Sequence, residues 1–176
     1  MKQKIILVLI ITACLLMITA CSADQSETGE TTNPQIPDVL ETGSLAITAD
    51  EQEIAEVSLD KIKSYPSVRR QMMINSSEGS TSHDFRGTLL LNILNDIDEE
   101  LVTSYATVRA MGSDVYQSVF TMEEVQQENN IYIMYSDGED SLLTRDGQPQ
   151  GMRIVSLDDQ YGQRFTNYLV EIVLEK

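Results

Sequence analysis

Tryptophan is absent from this chain, histidine occurs once, and cysteine occurs twice, at Cys14 and Cys21. Beyond residue 21 there is therefore no disulfide, no thiolate nucleophile and no cysteine metal ligand. A single histidine, His83, excludes a histidine-rich metal site. Basic residues are also scarce: 12 Lys+Arg stand against 28 Asp+Glu, a formal charge of −16. Such a surface repels nucleic-acid phosphates and anionic lipid headgroups, so a nucleic-acid partner is excluded. The ordinary meaning of the acidity is solubility of a displayed protein; a specific cationic ligand is the rarer alternative. With 176 residues the chain has room for one domain plus appendages.

What is present begins at the amino end. Lys2 and Lys4 precede an apolar run from Ile5 to Ala20, interrupted only by Thr12 and Thr19. That run has 16 residues, short of the roughly 20 that span a bilayer, and it ends in small residues as an export signal does. Ile18-Thr19-Ala20-Cys21 resembles the lipobox of bacterial lipoproteins, in which the cysteine sulfur takes a diacylglyceryl group before cleavage. The same letters occur at Ile11-Thr12-Ala13-Cys14, but cleavage there would leave an apolar new terminus, whereas Cys21 is followed by polar Ser22-Ala23-Asp24-Gln25. The expectation is a signal peptide over 1–20, lipid on Cys21, and a bacterial cell membrane location on the extracytoplasmic side. The competing reading is an uncleaved membrane helix with an incidental cysteine.

Residues 21–43 hold Asp24, Glu27, Glu30, Asp38 and Glu41 and no basic residue, and they read as a disordered acidic tether. Residues 44–176 read as one globular domain. Ser44–Thr48 and Glu53–Val57 are expected strands. Ser58 is placed to cap a short helix through Ser64, stopped by Pro66. Val68–Asn75 is an expected strand, followed by a polar loop from Ser76 to Arg86. Leu90, Ile93, Leu94 and Ile97 form one apolar helical stripe. Tyr105–Met111, Val115–Phe120, Ile131–Tyr135, Gly151–Val155 and Tyr168–Leu174 are further expected strands, with turns at Gly112-Ser113-Asp114, Asp137-Gly138 and Asp146-Gly147. Thr121 and Glu124 are spaced as a capping box. Many strands with a few short helices predict an α+β fold with a mixed β-sheet core.

The order of these pieces resembles the sulfite-oxidase-type molybdopterin-binding domain. Phe85-Arg86-Gly87-Thr88-Leu89-Leu90-Leu91-Asn92-Ile93-Leu94 is similar to that family's tryptophan-x-glycine segment and the leucine-rich helix it opens. Ser58-Leu59-Asp60-Lys61-Ile62 with Val68–Asn75 resembles the helix and strand before it, and Tyr105–Val125 its strand, turn, strand and capped helix. Gly147–Val155 resembles a glycine-proline-x-arginine strand, and Phe165-Thr166-Asn167 with Tyr168–Leu174 the closing segment. The resemblance spans Ile47 to Glu175. It implies a molybdopterin site, and there this sequence departs from the pattern. The family ligates molybdenum through a cysteine in the loop after the strand matching Val68–Asn75. Here that loop begins Asn75-Ser76 and holds no thiol, and a serine hydroxyl is a poor substitute for thiolate. The lysine expected at the pterin phosphate is Asn167, which supplies no charge. Arg153 stands where the family has an arginine; it can meet a phosphate or serve in a salt bridge. No bound cofactor is expected, molybdopterin being the alternative.

Other sites carry weaker patterns. Ser82-His83-Asp84 has the letters of a catalytic triad, but adjacent residues cannot relay a proton in line. The ordinary reading is a solvent-facing loop histidine. Asp137, Glu139 and Asp140, and separately Asp158 and Asp159, can hold Ca²⁺ loosely, but neither group has the calcium-loop spacing. Tyr132, Tyr135 and Tyr161 either line a pocket or complete the core. Three functions follow: a non-catalytic module binding a small ligand or an envelope protein partner, an oxidoreductase component holding a molybdopterin or other redox cofactor, and a structural envelope lipoprotein.

Overall fold

A computed structural model describes residues 43–76, 79–159 and 162–176. The leader, Cys21, the acidic tether and Tyr161 lie outside the described residues, as does the side chain of Ser76. Strand β1 (Ser44–Ala49) turns into β2 (Gln52–Ser58) through Asp50 and Glu51, both with positive φ (49° and 64°), as a two-residue hairpin loop of right-handed twist requires. Helix α1 (Leu59–Ser64) is capped by the Ser58 hydroxyl, which accepts the Lys61 N–H at 3.3 Å.

Then comes the main departure from the sequence reading. The segment expected to be a polar loop from Ser76 to Arg86 is mostly strand: β3 (Ser67–Ser76) and β4 (Gly79–Leu89) form a long hairpin closing at Ser76↔Gly79. The outer part of its second arm, Gly79 to Asp84, is polar on both faces, so no apolar alternation marks it, while Met72 and Ile74 of the first arm pack against the smaller apolar cluster. Helix α2 (Leu90–Ile97) buries Leu90, Ile93 and Leu94, with Ile97 packed at the margin. A one-turn helix α3 (Leu101–Ser104) follows, which the sequence reading did not foresee.

Strands β5 (Thr107–Gly112) and β6 (Gln117–Thr121) lead into α4 (Met122–Gln126), opened by the expected Thr121/Glu124 capping box. Strands β7 (Ile131–Asp137), β8 (Asp140–Ser141) and β9 (Arg153–Ser156), a 3-10 turn at Gly162–Arg164 and β10 (Leu169–Glu175) complete the domain. Two strands start later than expected for a backbone reason. Val115 (φ 64°) and Tyr168 (φ 51°) are left-handed, which strand geometry does not allow.

The described residues form two sheets. One is mixed, in the order β2-β1-β10-β5-β6, with β1 and β10 parallel. The other is antiparallel, β3-β4-β7-β8, with β9 also on β7. The main core lies between the sheets and α2, and includes Ile47, Ile62, Leu94, Phe120, Ile131, Ile133 and Ile172. The other face of the second sheet builds a smaller cluster from Phe85, Tyr132, Met134, Val155 and Phe165. The unbroken apolar run Ile131–Tyr135 is thereby explained: Ile131, Ile133 and Tyr135 face one cluster, Tyr132 and Met134 the other. Gly87 lets β4 close onto β7, since a Cβ there would lie 2.3 Å from the Ile133 carbonyl oxygen. No helix among the described residues is long and apolar enough to cross a membrane.

Candidate functional site

Cross-strand register brings one set of side chains to the outer face of the second sheet. Phe85 is opposite Asp137 on β4 and β7, and Arg153 is opposite Met134 on β9 and β7. The Arg153 guanidinium lies 5.0 Å from the Phe85 ring centroid, a cation–π contact. Burial pushes its pKa down, while the charges of Asp137 and Tyr168 pull the other way. No hydrogen-bond acceptor among the described residues reaches its buried Nε, and no carboxylate there forms an ion pair with it. Arg109 also has a buried Nε without a partner, but its guanidinium pairs with Glu175, as Arg69 and Arg164 pair with carboxylates.

Arg153 and Asn167 line one cavity of about 200 Å³, together with Tyr168, Met152, Leu142 and Leu143. The segment carrying Asn167 and Tyr168 is pinned on all sides. Ile154 N–H donates to the Thr166 carbonyl at 3.1 Å, Leu169 N–H to Met152 at 2.9 Å, and Ser113 N–H to Tyr168 at 2.9 Å. The Thr166 and Ser118 hydroxyls share a buried hydrogen bond of 2.6 Å. Gly112 leaves the space that the Asn167 carbonyl occupies, 2.5 Å from where a Cβ would stand. Tyr168 thus holds a left-handed φ of 51°, unusual for a bulky residue and typical of positions fixed for a site. The cavity offers a guanidinium and an amide on one side and Leu142, Leu143 and Met152 on the other, a shape of chemistry suited to an anionic group on an apolar body.

The other candidates fall elsewhere. Asn75 is exposed near the hairpin tip, accepting a hydrogen bond from the Ser80 hydroxyl at 2.6 Å, and it lies outside this cavity. Ser76 ends β3 beside it. His83 is not a loop residue: it sits on β4, stacked on Phe85 at 4.9 Å between centroids. Its Nδ1 donates to Asp137 Oδ2 at 2.6 Å and its Nε2 shares a 2.8 Å hydrogen bond with the Thr81 hydroxyl. Burial raises the Asp137 pKa, but the hydrogen bonds from His83 and from the Asp84 N–H outweigh it and leave the carboxyl below its usual range. This Thr81–His83–Asp137 line has the order of a hydrolytic triad with different members from those the sequence suggested. Thr81 is exposed and lines neither the Arg153 cavity nor a second cavity beside Arg69 and Arg86, so the arrangement reads as a brace for the sheet face.

Of the acidic residues weighed for calcium, Glu139 pairs with Arg69, Asp159 with Arg164 and Asp137 with His83. Among the described residues no group of three or more His, Cys, Asp or Glu is placed to hold a metal. Tyr132 and Tyr135 are buried in opposite clusters. Phe85 and Tyr168 were not foreseen as site residues, and Asp137 was weighed only for calcium, because only register and a strained backbone bring them to Arg153.

This architecture, a mixed β-sheet core with few short helices, is structurally related to the sulfite-oxidase molybdopterin-binding domain, the fold expected from the sequence. A solved structure similar to it is the sulfane dehydrogenase SoxCD from Paracoccus pantotrophus, with a TM-score of 0.59 and 12% identity over 75% of this chain. At that identity the likeness is one of fold, and the chain spans 38% of the SoxCD chain it matches. No family model and no curated protein matches the sequence.

Proposed function

We propose that this chain is a lipid-anchored extracytoplasmic protein whose folded part is a non-catalytic binding module, taking the anionic group of a small, partly apolar ligand at Arg153. The observation that carries the reading is the Arg153 guanidinium: half-buried, with an unpartnered Nε, and lining a cavity in a chain of charge −16. A partly desolvated cation whose nearest counter-charge, Asp137, makes no ion pair with it is costly, and a ligand anion would supply the missing partner. Asn167 and Tyr168 would orient it, and Leu142, Leu143 and Met152 would cover its apolar part.

A second reading, an oxidoreductase component holding a molybdopterin, has one observation in its favour. Arg153 and Asn167, the positions that the resemblance puts at the pterin phosphate, line the same cavity. The donor set does not fit the metal end. Neither cysteine lies beyond residue 21, and the strand-end loop offers Asn75 and hydroxyls instead of a soft thiolate.

The test uses the full chain in detergent, titrated calorimetrically with phenyl phosphate. Saturable binding is expected, with Arg153→Met weakening it at least tenfold. The same substitution should raise stability by about 1 kcal/mol, because it removes an unpaired buried charge. Unchanged affinity in Arg153→Met, or its marked destabilisation, would reject the reading. Stoichiometric molybdenum with a pterin in protein from a molybdenum-replete host would replace it with the second.

A further inference from the structure

The opposite face of the same sheet carries a second, independent arrangement. Pairing places Arg69 of β3 directly opposite Arg86 of β4, Arg86 opposite Ser136 of β7, and Ser136 opposite Ser141 of β8. Four strands thus present a row of Arg, Arg, Ser and Ser. Like charges directly opposite one another destabilise a sheet. A chain with only 12 basic residues nevertheless sets two of them there and adds Lys63 at the same cavity of about 310 Å³. The guanidinium of Arg86 forms no ion pair with any described residue, a state it shares with Arg70, Arg145 and Arg153, whereas its cross-strand neighbour Arg69 is held by Glu139 and by Asp84 at 3.5 Å. The Lys63 ammonium stands 5.9 Å from the Tyr135 ring, also without a carboxylate partner among the described residues. The hydroxyls of Ser67, Ser136 and Ser141 line the cavity and form no hydrogen bond with any described residue.

Glu139 shows what this row recognises. It sits on the β7–β8 turn after Gly138, whose φ is 60°, and its side chain is 90% exposed apart from its contact with Arg69. Arg69 holds its carboxyl below the usual range, and Arg86 adds to that pull. Two carboxylates of the chain, Glu139 and Asp84, therefore meet Arg69 at one end of the row, while neither Arg86 nor Lys63 forms an ion pair with a described residue. We infer that this cavity is a binding site for a small dicarboxylate. One carboxylate takes the place of Glu139 on Arg69, the second lies between Arg86 and Lys63, and the serine hydroxyls donate to the oxygens left over. A guanidinium fork matches the flat carboxylate in a way that an ammonium does not. Glu139 then acts as a built-in competitor that keeps Arg69 neutralised until a ligand of higher charge arrives.

The experiment is calorimetric titration of the full chain in nonionic detergent at low ionic strength, with succinate, acetate and inorganic phosphate as probes. Succinate is expected to bind at least tenfold more tightly than acetate and more tightly than phosphate. Arg86→Gln, at an exposed position, should weaken succinate about tenfold, and Glu139→Gln should strengthen it several-fold. The opposite signs exclude a general loss of folding. Succinate no tighter than acetate overturns the inference, as does a weaker Glu139→Gln variant. Phosphate binding more tightly than succinate overturns the dicarboxylate assignment. Succinate binding abolished by Arg153→Met and untouched by Arg86→Gln would place the anion on the other face of the sheet and overturn it too.

Discussion

Glu124 accepts the Thr121 N–H at 2.8 Å through one carboxylate oxygen and the Arg164 guanidinium at 2.8 Å through the other. The Arg164 side chain also reaches Asp159, its Nε donating at 2.9 Å, and lies 5.0 Å from the Phe120 ring centroid. One side chain thereby closes the cap of α4 and ties it to the 3-10 turn and to β6. The Arg164 hydrogen bond is the largest influence on Glu124 and lowers its pKa; burial opposes this and the Thr121 N–H assists. A carboxylate whose folded pKa lies below its unfolded value contributes stability that is present above the unfolded pKa. That stability is lost as pH falls through the folded pKa. Glu124→Gln keeps an acceptor for the cap but removes the charge. It should cost about 1 kcal/mol at pH 7, a value kept low because Arg164 is partly solvated. In urea unfolding the gap between variant and parent should close at acid pH, below the ordinary carboxylate range. A gap that did not narrow as the pH falls below the ordinary carboxylate range would mean the charge is not what Glu124 contributes.

Elements whose apolar residues keep a clean period were legible, and those whose surroundings decide their conformation were not. Helix α2 is the clearest of the first kind. Leu94 is fully buried in the main core, so Leu94→Ala should destabilise the domain by about 2–5 kcal/mol in chemical denaturation, and an effect near zero would contradict its packing. The capping box at Thr121 and the cap at Ser58 were also readable, because each is a local bargain between a side chain and the next turn. The hairpin β3–β4 was half missed. Thr81 to Asp84 carry polar side chains on both faces, and strand there is imposed by pairing with β3, not by burial. The start of β10 was missed by one residue because three hydrogen bonds from other segments fix the chain around a left-handed Tyr168. The same division holds for the site. Arg153 and Asn167 were named in advance through the family resemblance, yet no periodicity discloses that Phe85 lies under the guanidinium. The Arg69–Arg86 pair was invisible in sequence, being 17 positions apart and made adjacent only by register.

Across the whole molecule, net charge and the proposed anchor would set the terms on which either proposed site meets a ligand. Removal of the proposed leader would take Lys2 and Lys4 and bring −16 to −18, so anions approach against a long-range repulsion. Only local guanidinium clusters can overcome it, which favours short-range recognition of small anions over capture of large polyanions. The described domain has no helix fit to cross a bilayer, and the proposed attachment rests on Cys21 and the apolar run before it. Two or more acyl chains suffice for stable anchoring, at about 0.8 kcal/mol per buried CH₂. Cys14 repeats the same four letters, but an anchor there would leave Leu15-Leu16-Met17-Ile18 immediately after the lipid, where a polar spacer is needed to hold a −18 domain off an anionic membrane. Thioether attachment requires a thiol acceptor, which a serine hydroxyl does not replace. Cys21→Ser should therefore abolish incorporation of radiolabelled palmitate and leave the precursor at its full length, whereas Cys14→Ser should be lipidated and processed as the parent is. Palmitate retained in Cys21→Ser, or lost in Cys14→Ser, would move the attachment to Cys14 or remove it from this mechanism altogether.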